Sequence, residues 1–205
     1  MESRKSMTME NCYFHHNEGG QASSFYYRST PNDSAVVTIQ DCLLDSNLTY
    51  SNSFDADAEI EYPKRLEFQG NRFLNHNRRG MRVVVTHGDV DVRDSEFFNN
   101  GTYDVSIFGG AFTLPNQRIL VENNTFSASG GWPIHFQGSN GVREVNHNTI
   151  VDVANSFYLQ GPTARFSNNI FSFLNSSING TVLLTNGGTV LSGGGNISRT
   201  NALTS

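Results

Sequence analysis

No stretch of this sequence approaches the roughly 18 consecutive apolar residues of a membrane-spanning helix, so membrane insertion is not expected. Charge is scarce as well. Only 16% of residues are charged, the net charge is −5, and the 14 Lys and Arg are scattered. A nucleic-acid partner would call for a basic patch, so none is expected. Cysteine occurs twice, at Cys12 and Cys42, and says little about compartment. No segment carries a helical apolar stripe. No secretory leader is visible in MESRKSMTME, which is polar and enters the first repeat almost at once.

What is present is one short pattern that returns along nearly the whole chain. It reads MTMENCYF from Met7, VTIQDCLL from Val37, LEFQGNRF from Leu66 and VDVRDSEF from Val90. It continues as ILVENNTF from Ile119, REVNHNTI from Arg143, ARFSNNIF from Ala164 and, more loosely, SGGGNI. Each copy alternates apolar and polar residues, passes a small polar corner, and resumes with an apolar residue. The corner column is Cys12, Cys42, Asn71, Ser95, Asn124, Asn148, Asn169 and Asn196, at spacings of 30, 29, 24, 29, 24, 21 and 27 residues. A period in this range marks a stacked-repeat architecture. The period-two alternation and the repeated Val, Ile, Leu and Phe make the units strands. A corner needs a residue that tolerates the left-handed region, which Asn does well. Asn repeated at one corner also lets its amides stack about 4.8 Å apart, donor to acceptor.

With VENNTF, FSNNIF and VNHNTI as its rungs, the chain resembles the right-handed parallel β-helices of the pectin-lyase-like superfamily, from about Met7 to Ile197. The resemblance implies an all-β, right-handed solenoid. It would form one domain over residues 1–205, with about eight rungs of three strands and longer loops near 18–35, 47–57 and 109–118. It is less specific for function, since the superfamily includes lyases, hydrolases, epimerases, phage spikes and surface proteins. A solenoid end exposes strand edges and core unless capped. No amphipathic helix precedes Met7 and only SRTNALTS follows Ile197, so the chain is read as a piece of a longer protein.

The cysteines share one column on adjacent rungs. Stacked thiols are favoured over a bridge, because parallel stacking points both Cβ vectors the same way. Seven sites fit the N-glycosylation acceptor pattern: Asn32, Asn47, Asn100, Asn123, Asn175, Asn179 and Asn196. They favour an extracellular or cell-surface setting.

In relatives that cleave polysaccharides, the resemblance places chemistry on the outer face of the third strand of each rung. The matching segments are SFYYRS, DAEIEY, RVVVTHG, DVSIFGG, PIHFQG, SFYLQG and TVLLTNG. Alternation then turns Phe25, Tyr27, Ala58, Ile60, Val83, Val85, Val105, Ile107, Ile134 and Phe136 inward. One outward column reads Ser24, Asp57, Arg82, Asp104, Pro133, Ser156; the next reads Tyr26, Glu59, Val84, Ser106, His135, Tyr158. The third reads Arg28, Glu61, Thr86, Phe108, Gln137, Gln160. Asp55, Asp57, Glu59 and Glu61 are expected on one face. Carboxylates this close raise one another's pKa, as acid/base chemistry requires, or hold Ca²⁺. Arg82 on the next rung would neutralise them or grip a uronate. The competing reading is a solvated charged stripe. Tyr26, Asp104, His135, Tyr158 and Trp132 are candidate ligand-binding residues, weighed against cross-strand packing for His135 and Tyr158. Trp132 is weighed against a lid in a turn. His15, His16, His76, His87 and His147 form no metal spacing.

The hydrolases of the superfamily carry Asn-Thr-Asp, paired aspartates, Gly-His-Gly and Arg-x-Lys, and its pectate lyases carry Arg-x-Pro-x-x-Arg; these are not in the sequence. The reading is therefore a structural, adhesive or glycan-binding module of an extracellular or surface protein. It would need no cofactor, with Ca²⁺ as an option. Its partners would be glycans, surface proteins or neighbouring domains of a parent chain. The alternative is a polysaccharide lyase, hydrolase or epimerase with Asp57, Glu59 and Glu61 as acid, base or Ca²⁺ ligands and Arg82 holding substrate. A phage-type spike fragment is the further alternative.

Overall fold

A computed structural model describes residues 6–20, 22–30, 34–50, 56–85, 88–109, 117–138, 142–153, 155, 157–161, 163–172, 182–185 and 189–198. The repeats coil into a parallel β-solenoid with no helix among these residues. The first sheet stacks eight strands, from Met7–Glu10 to Thr189–Ser192, and the second stacks eight, from Tyr13–His15 to Ile197–Ser198. The third has seven: Ala22–Arg28, Ala56–Glu61, Arg79–Val85, Tyr103–Gly109, Trp132–Gln137, Phe157–Gln160 and Val182–Thr185. The coil makes about six turns, slightly fewer than the expected count of about eight rungs. Beyond Gln160 the chain adds one strand to each of the three sheets, its course between Ser172 and Val182 lying outside the described residues, and then one more strand to the first and to the second. Parts of the expected loops are strands: Glu18–Gly19 pairs with Leu48–Thr49 as a small fourth sheet, and Ala22–Arg28 and Ala56–Glu61 join the third.

Each of the three main sheets turns one face inward onto a narrow core. The second sheet stacks phenylalanines, with Phe73 and Phe97 centroids 5.5 Å apart and Phe97 and Phe126 5.0 Å apart. Burying each such ring is worth about 1.5–3 kcal/mol. Arg143 occupies an inward place between Ile119 and Ala164, and burial pulls its pKa down to about 10.

The corner ladder forms, with one correction. The left-handed residue is not the ladder residue but the one before it: Asn11, Asp41, Gly70, Asp94, Asn123, His147, Asn168 and Gly195, with φ between 52° and 69°. That kink lets the next side chain turn inward. Each ladder oxygen then caps the backbone N–H of the preceding rung, as Asn71 does for Cys42, Asn124 for Ser95, Asn148 for Asn124 and Asn169 for Asn148. Each amide nitrogen donates to a core carbonyl, for example Asn71 to Ile39 at 2.8 Å. Asn196 caps Asn169 at the end of the row. Cys12 and Cys42 are both free thiols, and burial pushes the Cys42 thiol up.

A second corner follows at a fixed offset of five residues, polar until its last member, which the sequence pattern hid because its residue types vary: Asn17, Asn47, His76, Asn100, Ser129 and Val153. Asn47 caps Asn17 at 2.8 Å and Asn100 caps His76 at 3.2 Å.

Candidate functional site

The third sheet departs from plain alternation at the start of its strands. A Cβ on Gly80 would lie 3.2 Å from the Phe73 ring and 3.5 Å from the Phe97 ring, so this position faces the core. Asp57 and Asp104 flank it on adjacent rungs and also turn inward. Asp57 accepts from Ser23 at 2.6 Å and Ser24 at 2.5 Å, and lies 3.4 Å from His76. Asp104 accepts from Asn100 at 2.7 Å and Ser129 at 2.8 Å. The next residues, Ala58, Met81, Val105 and Ile134, face inward as well. Two consecutive inward positions make a bend at the corner. Asp57, Asp104 and Pro133 of the expected first outward column are therefore buried, and Asp104 is not a surface ligand group.

A register correction follows on the next rung. Arg82 pairs with Glu59 and Ser106, not with Asp57, and Val84 pairs with Glu61 and Phe108. Arg82 is bonded to Glu59 and lies 3.7 Å from Glu61, which also meets Arg28 at 3.2 Å and accepts from Tyr26 at 3.0 Å. Glu59 is fully buried. Glu59 and Glu61 thus share Arg82 while Asp57 faces Ser23, Ser24 and His76, and among the described residues no three metal-ligating side chains converge. Asp55 lies outside those residues, as do Asn32, Thr86, His87, Ser156, Asn175 and Asn179. Of the remaining glycosylation candidates, Asn47 and Asn100 are buried with their amide nitrogens bonded to Phe14 and Phe73 carbonyls, which leaves no room for a glycan in the folded chain. Asn196 is bonded to the Phe166 carbonyl, and Asn123 is exposed with its amide donating to Asp94.

The bend pushes the residues before it outward, which places Arg79, Tyr103 and Trp132 beside the second column. Tyr103 stacks on Trp132 at 5.5 Å and on His135 at 4.9 Å. His135 stacks on Tyr158 at 4.5 Å, nearly parallel at 11°, and meets the edge of Phe108. Arg79 lies over Tyr103 and Phe108 at 4.7 and 5.3 Å. Gln137 and Gln160 form the third column on adjacent rungs. These side chains line a groove of about 550 Å³, together with Gly101, Gly130, Gly131 and Asn155. A Cβ on Gly131 would overlap the Thr102 carbonyl, so glycine is required for the turns to stack this closely.

The structure thus brings together His135, Tyr158 and Trp132 of the expected ligand residues, and leaves Tyr26 on a distant rung, tied to Glu61. Trp132 belongs to the strand and not to a turn. Tyr103 and Arg79 were missed. Their signal was positional: Tyr103 directly precedes Asp104, as Trp132 precedes Pro133.

Two buried groups give the fold an opposed pH response. Burial raises Asp104 to about 7, with the Asn100 and Ser129 bonds working against it. An unfolded aspartate titrates near 3.9, so between about 4 and 7 the folded chain holds one extra proton and stability falls as pH rises. Burial, then Arg79, lowers His135 to about 3. An unfolded histidine titrates near 6.5, so between about 3 and 6.5 the folded chain holds one proton fewer and stability rises with pH. The two slopes oppose each other from about 4 to 6.5. Asp104→Asn keeps an acceptor for Asn100 and Ser129 and removes the falling arm. It is expected to gain on the parent by roughly 1 kcal/mol per pH unit through that window. Urea titrations at about pH 4.5, 6 and 7.5 check this; a gap that stays constant with pH contradicts it.

Comparison with family models, curated proteins and solved structures finds no match.

Proposed function

We propose that this chain is a glycan-binding β-helix module of an extracellular or surface protein, of the pectin-lyase-like kind, and that the aromatic groove on its third sheet is the binding surface. The observation that carries this reading is the gathering of Tyr103, Trp132, His135 and Tyr158 beside the Gln137 and Gln160 amides in one groove. Sugars offer apolar C–H faces and a rim of hydroxyls, and rings mixed with amides answer both. The rings here use much of their faces on one another, so edges and polar tips are what the groove offers. Rigid stacked rungs hold these groups in place before the ligand arrives, which lowers the ordering cost of binding.

Catalysis is the weaker reading. Glycoside hydrolysis places two carboxyl groups about 5–9.5 Å apart across the scissile bond. Here Asp57 faces the interior and Glu59 is bound to Arg82. Among the described residues no carboxylate lines the groove.

Native affinity electrophoresis in gels containing xylan, mannan, β-glucan or polygalacturonate tests the proposal. The parent chain is expected to be retarded by at least one polysaccharide. Trp132→Ala and Tyr158→Ala are expected to weaken that retardation about tenfold, the loss of roughly 1.4 kcal/mol, with the β circular dichroism kept. No retardation in any gel, or equal retardation of the variants, overturns it.

A further inference from the structure

The walls of the groove narrow the class of ligand. Among the described residues Arg79 is the only lining residue with a formal charge, and it is 3% exposed, covered by the Tyr103 and Phe108 rings. Glu59 and Asp104 are engaged elsewhere, with Arg82 and with Asn100 and Ser129. A charged ligand would therefore lose hydration without a matching exposed partner.

Hydrogen bonding points the same way. His135 is 4% exposed and is clasped between Tyr103 and Tyr158, yet neither of its ring nitrogens meets a partner among the described residues. A neutral imidazole carries one donor and one acceptor. The hydroxyls of Ser106, its neighbour in register, and of Thr102, on the groove wall, are likewise buried and unbonded among those residues. Buried polar groups are nearly always bonded, and those that are not call for an explanation.

Resting on the glycan-binding reading, we infer that the groove takes a neutral, linear oligosaccharide lying along the solenoid axis, with His135 as the residue that selects it. Both nitrogens are covered in the free chain, so the Tyr103 or Tyr158 ring turns aside as one nitrogen accepts from a sugar hydroxyl and the other donates to a second. The direction follows from the lining, which climbs from Arg79 through Tyr103 and Trp132 to Tyr158 on four successive rungs. Three steps of about 4.8 Å give roughly 14 Å, the length of about three pyranose rings. Gln137 and Gln160 repeat the same amide one rung apart, which suits a ligand that itself repeats.

Isothermal titration of the whole chain tests this, with cellohexaose, xylohexaose, mannohexaose, laminarihexaose and hexagalacturonate as probes at low salt and at about 1 M NaCl. His135→Phe keeps a ring in the stack without its nitrogens, and His135→Gln restores a donor and an acceptor. At least one neutral hexaose is expected to bind with the same affinity at both salt concentrations. His135→Phe is expected to lose about tenfold or more in affinity, and His135→Gln to recover part of it. His135→Phe should melt no lower than the parent, since it removes unbonded buried polar atoms; a residue that only packs would not lose affinity while keeping stability. Tighter binding of hexagalacturonate, an affinity that falls with salt, or full affinity in His135→Phe overturns this inference and leaves glycan binding standing. Binding of none of the five sugars removes glycan binding itself.

Discussion

Asn148→Ala is expected to destabilise the chain by about 4 kcal/mol, close to the whole stability of many domains. The Asn148 oxygen accepts from the Asn124 backbone at 2.9 Å and from the Asn124 amide at 3.1 Å. Its nitrogen donates to the carbonyls of Val121 and Asn146 and to Asn169. Alanine would leave the Asn124 N–H and the Val121 carbonyl buried without partners, each at about 1–3 kcal/mol, and would open a small void. The adjacent position is the control. His147 has φ of 56° and an exposed side chain, so His147→Gly removes a strained non-glycine residue and little else. Its effect is expected to stay within about 1 kcal/mol. Urea denaturation of both variants checks the pair. Similar losses at the two positions would contradict the division of labour between a kink residue outside and a ladder residue inside.

Glu59→Ala is expected to cost about 3 kcal/mol, because removing one end of a buried ion pair strands the other. Arg82 would keep Glu61 at 3.7 Å and its place over the Phe108 ring, which sets the loss at the lower end of the usual range. Replacing both ends, Glu59→Leu with Arg82→Met, should recover most of that stability, since a matched apolar pair avoids the desolvation of two charges. Thermal and urea melts of the single and double variants measure this. A Glu59→Ala chain that melts like the parent, but loses a polysaccharide-cleaving activity the parent has, would instead make Glu59 catalytic.

The ladder was legible because it repeats one residue type at one place in the strand pattern, and the fold followed from it. The left-handed position was misplaced by one residue because Asn occurs at both sites, as in Asn123-Asn124 and Asn168-Asn169. The second corner was invisible because His76, Ser129 and Val153 share no side-chain type, only an offset of five residues. On the third sheet, alternation alone cannot reveal a bend where two successive residues face inward, so Asp57 and Asp104 were assigned to the surface. The run Val83-Val84-Val85 offers no polar residue to fix its own register, and Arg82 slipped by two places. Half of the groove was readable from His135, Tyr158 and Trp132. Tyr103 and Arg79 needed the bend, at which Gly80 faces the Phe73 and Phe97 rings.

Trp132 is the only tryptophan in the chain, and it lines the groove. Its intrinsic fluorescence therefore reports on that surface without a label. Titrating the chain with the polysaccharide that retards it best should shift or quench the emission along a saturable curve, with a midpoint that matches the affinity gels. Emission that stays constant while the chain is retained on the same polysaccharide would put the binding surface elsewhere and contradict the assignment of the groove.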